Sequence, residues 1–162
     1  MDLPARKQNR LADYDYSTPS AYFITICTAK RKNQFWSAVG AIIDRPQSVP
    51  LTEYGRVANR CINNISVYYP MISVDHYVIM PNHIHLLLQI HTDLNGRSMI
   101  APTISTVVRL FKGAVSKQTG ISIWQKGFYD HVVRSETDYL EIWNYIEGNP
   151  SRWTEDKLYS PE

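Results

Sequence analysis

At 162 residues the chain is long enough to bury a true core without disulfide or metal staples, and it suits a single domain over 1–162. Its 44% hydrophobic and 20% charged content excludes large-scale disorder, while a net charge of only +2 permits a nucleic-acid partner without arguing for one. The N-terminus MDLPARKQNR has no apolar signal core, no run approaches membrane-spanning length, and Cys27 and Cys61 form no Cys-x-x-Cys pair, so the expectation is a cytoplasmic protein with reduced thiols and no membrane contact.

Residues 1–19 read as a polar arm, with Arg6, Lys7 and Arg10 ahead of Asp13-Tyr14-Asp15-Tyr16; such an arm is either solvated or in touch with phosphates. Ala21–Thr28 (AYFITICT) is a strand by its β-branched and aromatic content. Residues 29–50 form a loop in which Gln34-Phe35-Trp36 packs locally and Pro46 and Pro50 oppose regular structure. A helix runs from the Thr52 cap to Tyr69, with Val57, Ala58, Cys61, Ile62 and Ile65 roughly on one face and Pro70 as its stop.

Two apolar runs, SVDHYVIM and IHLLLQI, then meet at the turn dipeptide Pro81-Asn82 and read as neighbouring antiparallel strands. Alternation turns His83 and His85 to one face, and Ile84, Leu86 and Leu88 to the other. Paired imidazoles on one face of an apolar strand supply half of a divalent-metal site, or else form a hydrogen-bonded core pair. After a polar connection over 91–102, Thr103–Gln118 is an amphipathic helix with Arg109, Lys112 and Lys117 on its outer side and Gly120 closing it.

Phe128–Val133 is a fourth strand, and Glu136–Glu147 a third helix ended by Gly148-Asn149-Pro150, before a polar surface tail over 151–162. On this helix Tyr139, Ile142, Trp143 and Ile146 make the apolar stripe. Tyr145 lies about 60° beyond its edge, with Asn149 one turn further on the same side. There they present a phenol and an amide to a cleft beside the sheet, or serve as a packing tyrosine and a helix-ending asparagine.

The order β-α-β-β-α-β plus a last helix predicts an α+β, ferredoxin-like split βαβ fold: one antiparallel sheet, helices on one face, the His83 strand central, and a C-terminal helix carrying the tyrosine. His83-Ile84-His85, then Tyr145-Ile146-x-x-Asn149-Pro150 about sixty residues on, resembles the single-tyrosine transposases with a His-hydrophobe-His motif, and most closely their REP-associated tyrosine transposase branch. Tyr14-Asp15-Tyr16 with AYFITICT, VIMPNHIHLLL, WQKGFYDHVVR and YIEGNP resemble that branch in order and spacing, over roughly residues 6–153.

The resemblance implies a metal-dependent single-stranded DNA endonuclease and strand transferase acting on hairpin-forming repeats, as a monomer or a homodimer. It implies His83, His85 and Asn149 as ligands of Mg²⁺ or Mn²⁺, and Tyr145 as the nucleophile that forms a 5′-phosphotyrosine. Insertion-sequence relatives usually have glutamine where Asn149 stands. His131, Arg134 and Lys112 are candidate contacts to DNA or to the site, His131 being equally readable as structural. Two rivals are weighed: a catalytically inactive nucleic-acid-binding domain on the same scaffold, and a replication initiator or relaxase, which usually places its tyrosine ahead of the histidines. A two-histidine phosphoesterase is discounted for want of a His-x-Thr/Ser motif.

Overall fold

The computed structural model describes residues 20–37, 50–91 and 102–161. The expected arm over 1–19, with its Tyr14-Asp15-Tyr16, and most of the expected connection over 91–102 lie outside these residues. Among the described residues four antiparallel strands form one sheet: β1 (Ala21–Cys27), β2 (Ile72–Ile79), β3 (His83–Ile90) and β4 (Tyr129–Val132), in the spatial order β2-β3-β1-β4. This is the predicted split βαβ order, and it puts the histidine strand β3 in the interior of the sheet. Strands β1 and β3 are buried along almost their whole length, which is why their sequences read as nearly continuous apolar runs.

Helices α1 (Glu53–Asn63), α2 (Ile65–Tyr68) and α3 (Ile104–Thr119) accompany one face of the sheet. Val57, Ala58, Cys61, Ile62, Val107, Val108 and Phe111 pack there against Tyr22, Ile24, Ile26, Ile84, Leu86 and Leu88. The single helix expected over 52–69 is divided at Asn64 (φ −89°, ψ −8°), where the chain leaves regular α geometry for one residue. Helix α4 (Glu136–Gly148) covers the opposite face. Its Ile142 and Ile146 join Ala21 and Leu87 in a second, smaller cluster, with Phe23, Val133, Tyr139 and Trp143 at its margin. Two helical layers thus sandwich the sheet, and the one-face arrangement holds for α1 to α3 alone.

The caps follow the sequence signals. Thr52, Thr103 and Ser135 each accept a backbone N–H three residues on, and Gly120 ends α3 at φ 75°, a conformation that only glycine adopts without strain. Gly55 marks a close approach: a Cβ there would lie 2.5 Å from the Phe35 carbonyl oxygen.

In β2 a bulge at Asp75 breaks the register between Val74 and His76. An extra residue re-aims the side chains that follow it. Here it lets two adjacent residues meet α4: Asp75 accepts from the Tyr139 hydroxyl at 2.7 Å, and His76 stacks on Trp143. The tail expected on the surface is instead partly internal. A 3-10 turn over Pro150–Glu155 buries Trp153 against Trp36 and His83. Among the described residues no helix is long and apolar enough to cross a membrane.

Candidate metal centre and nucleophile

His83 and His85 point to the α4 face, as alternation along β3 requires. Both are buried, and their Nε2 atoms approach to 3.1 Å. Asn82 fixes the His83 ring. Its Nδ2 donates to the carbonyls of Leu158 (2.8 Å) and Arg31 (3.3 Å), so the atom 2.7 Å from His83 Nδ1 is the carbonyl Oδ1. An amide oxygen can only accept, hence His83 carries its proton on Nδ1 and directs the Nε2 lone pair at the gap shared with His85. His85 Nδ1 is held at 2.8 Å by Thr25 Oγ1, directly across the β1–β3 pair. Oxygen partners behind both rings are the usual support of metal-binding histidines.

Burial, then the neighbouring His85, then the Arg31 charge push the His83 imidazole well below its usual range, and burial takes His85 down to about 3. Both rings are therefore neutral at physiological pH, the state in which imidazole binds a metal. Two ligands, each about 2.1 Å from one ion and at right or tetrahedral angles, stand about 3.0–3.4 Å apart. The observed separation of 3.1 Å fits.

A carboxylate that the sequence reading passed over completes the group. Asp156 Oδ2 lies 3.7 Å from His83 Nε2, and one ligand atom from each of His83, His85 and Asp156 falls within 4.8 Å of the others. The Asp156 side chain is only 2% exposed, and its Oδ2 has no hydrogen-bond partner. Two imidazole Nε2 atoms and a carboxylate oxygen around one gap are a fitting donor set for a divalent cation. Its one signal in the sequence was Trp153, a large apolar residue in a polar tail, which had to be buried somewhere.

Tyr145 lies on the same face of the sheet as the histidines. Its ring meets His85 at 5.3 Å and Phe23 at 6.0 Å, both edge-on, and it remains 48% exposed. The i to i+4 relation brings Asn149 beside it, buried at the end of α4. Burial first and the Asp156 charge second raise the Tyr145 phenol; burial likewise raises the Asp156 carboxyl. The Asn149 amide is near enough to ease both shifts, although its Nδ2 closes no hydrogen bond. An open cleft of roughly 380 Å³ is lined by Asn144, Tyr145, Asn149, Arg152, Asp156 and Lys157.

The remaining candidates lie elsewhere. His131 and the Arg134 backbone N–H both bond the Asp138 carboxylate (2.8 and 3.2 Å), so they brace the start of α4, about 10 Å along the helix from Tyr145. The Lys112 ammonium donates to the carbonyls of Gln125 and Gly127, which pins the loop before β4 to α3.

Among known proteins, the chain is 34% identical over 173 residues to an uncharacterised protein of Haemophilus influenzae, covering 95% of this chain and 93% of that one. It is 24% identical over 144 residues to a second Haemophilus influenzae protein, assigned to the REP-associated tyrosine transposases, covering 84% of this chain and 73% of the relative. In fold it matches the structure of a REP-associated tyrosine transposase bound to a REP hairpin, with a TM-score of 0.60 and 21% identity, over 88% of this chain and 74% of that one. No family model matches the chain.

Proposed function

From a chain that belongs to one family with the uncharacterised Haemophilus influenzae protein, and that resembles REP-associated tyrosine transposases in sequence and fold, we propose a metal-dependent, tyrosine-based nickase and strand transferase acting on single-stranded DNA. The observation that carries this reading is the meeting, on one sheet face, of the half-exposed Tyr145 phenol and the converging Nε2 atoms of His83 and His85. The hairpin bound in the related structure supports hairpin-forming repeats as the substrate class.

His83 and His85 would hold the divalent ion, Mg²⁺ or Mn²⁺, with Asn149 beside them. When bound, the ion supplies Lewis-acid stabilisation of charge on a non-bridging phosphate oxygen. Tyr145 Oη attacks the scissile phosphorus from the cleft. The bond from phosphorus to the tyrosine oxygen forms, the bond to the 3′ oxygen breaks, the phenolic proton passes to solvent, and the departing oxygen takes a proton from solvent to become a free 3′-OH. Strand transfer is the reverse, with a 3′-OH attacking the 5′-phosphotyrosine and releasing the phenol. The covalent intermediate keeps the phosphodiester energy, so joining needs no nucleotide triphosphate.

A phenol of ordinary pKa near 10 is a weak nucleophile at pH 7. Its environment here raises the pKa further, so chemistry is expected to quicken as pH rises. The test is incubation of labelled single-stranded hairpins from the flanks of the gene with Mg²⁺ or Mn²⁺, for the parent chain and Tyr145→Phe. The expected result is a DNA–protein adduct that resists denaturation and is absent from the Phe variant. Specific binding with no adduct in either metal would reduce the chain to a DNA-binding domain on the same scaffold.

A further inference from the structure

We infer that Asp156, delivered by the C-terminal 3-10 turn, is the third protein ligand of the divalent-metal site, in the position expected of Asn149; this rests on the reading of His83 and His85 given above. Asp156 is held from both sides. Three residues before it, Trp153 is buried against Trp36 (6.3 Å between ring centres) and His83 (6.0 Å). After it, Asn82 Nδ2 grips the Leu158 carbonyl at 2.8 Å, Asn33 Nδ2 grips that of Ser160 at 3.1 Å, and the Tyr159 ring lies against Trp153.

Within this frame the two carboxylate oxygens differ. Oδ1 accepts the Leu158 backbone N–H at 2.7 Å, whereas Oδ2 is buried and closes no hydrogen bond, the Asn149 amide being its neighbour. A buried, unpaired anionic oxygen is costly unless a cation meets it. His83 Nε2 cannot act as its donor: 3.7 Å is too long for a hydrogen bond, and the His83 proton sits on Nδ1, facing Asn82. His83 Nε2, His85 Nε2 and Asp156 Oδ2 thus face one gap, and a divalent ion there would take the Asp156 oxygen together with both imidazole nitrogens.

Asn149 can bring only a neutral carbonyl oxygen to such an ion, whereas Asp156 brings a hard anionic one, the kind that Mg²⁺ and Mn²⁺ favour. Asn149, placed beside both Tyr145 and Asp156, acts as a positioning residue between nucleophile and ligand. Binding of the metal also fastens the C-terminal segment over the β1–β3 face.

The experiment is calorimetric titration of the metal-free full chain with MnCl₂, cross-checked by the loss of free-Mn²⁺ paramagnetic resonance. The parent chain is compared with His83→Ala, Asp156→Asn, Asp156→Ser and Asn149→Ala. Glu155→Gln is the control, and each variant is first shown native by near-UV circular dichroism. Partners behind a metal ligand are already worth about 10–100-fold in affinity, so loss of a direct carboxylate should weaken Mn²⁺ binding by about 100-fold or more, in whichever Asp156 variant folds. Asn149→Ala should weaken it by about threefold or less, and Glu155→Gln not at all. Parent-like binding by the Asp156 variants together with loss in His83→Ala would overturn the Asp156 assignment alone. Parent-like binding by His83→Ala would overturn the metal reading of the histidines, and this inference with it.

Discussion

The two faces of the sheet are built from alternate residues of the same strands, yet they differ in kind. Beneath α1 and α3, β1 and β3 present Tyr22, Ile24, Ile26, Ile84, Leu86 and Leu88, and the core there is large and mainly apolar. Beneath α4 the same strands present Ala21, Phe23 and Leu87 at one end, then Thr25, His83 and His85, with Asn149 and Asp156 closing over them. The first face holds the larger share of the buried apolar side chains. On the second, a small apolar cluster anchors α4 while the other half carries buried polar atoms, Asn149 Nδ2 and Asp156 Oδ2 among those that close no hydrogen bond. A fold that concentrates its apolar burial on one side can accept that cost on the other.

The comparison breaks most sharply if the two faces respond alike to substitution. Tyr145→Phe removes one half-exposed hydroxyl and should abolish adduct formation, about a 10³-fold loss or more as for deletion of an enzymatic nucleophile. Its denaturant midpoint should stay within the equivalent of about 0.5 kcal/mol, as for other substitutions that leave packing intact. Leu86→Ala, one residue from His85 but on the opposite face, should do the reverse. Urea unfolding should show a loss of about 3–5 kcal/mol, with Mn²⁺ affinity retained in the folded fraction.

Acid sharpens the contrast from the polar side. In the metal-free chain both imidazoles have folded pKa values below the unfolded value near 6.5, His85 at about 3, so below pH 6.5 the unfolded chain binds more protons. Stability is therefore full above that pH and lost as pH falls, by about 2–3 kcal/mol between pH 7.5 and 5.5 for two such groups. Asp156, raised in the folded state, opposes the loss only at lower pH, nearer its own titration. His85→Leu should halve the acid-side slope in urea titrations at several pH values; an unchanged slope would show that the rings already titrate freely. At the small end, Gly120→Ala places a side chain at φ 75° without touching either face, and thermal unfolding should register about 1 kcal/mol.

What the sequence disclosed about these faces follows from period. The i, i+2 histidines and the i, i+4 pair Tyr145 and Asn149 are local relations, and local geometry fixed their directions before any tertiary contact was known. The stripe Tyr139-Ile142-Trp143-Ile146 predicted which side of α4 is buried, but no helical period says which face of a sheet will receive it. The Asp75 bulge was hidden because one charged residue in an apolar run reads equally as an exposed strand position. Lys112, on the polar side of its helix, gave no hint that its ammonium is occupied by the Gln125 and Gly127 carbonyls. Asp156 was least legible: its role depends on contacts with residues more than seventy positions earlier, made by a short turn with no repeating pattern.

One side chain ties those distant parts together. Asn82 bonds the Arg31 carbonyl, the His83 ring and the Leu158 carbonyl at once, the last across 76 positions of chain. During synthesis the hairpin of β2 and β3 emerges long before Leu158 does, and domains form as their segments leave the ribosome. A growing chain can thus build its sheet while the His83 ring still lacks its final brace. The proposed site gains that brace only when residue 158 has been made and docked, so a chain ending before it would carry the sheet without the full support of the His83 ring.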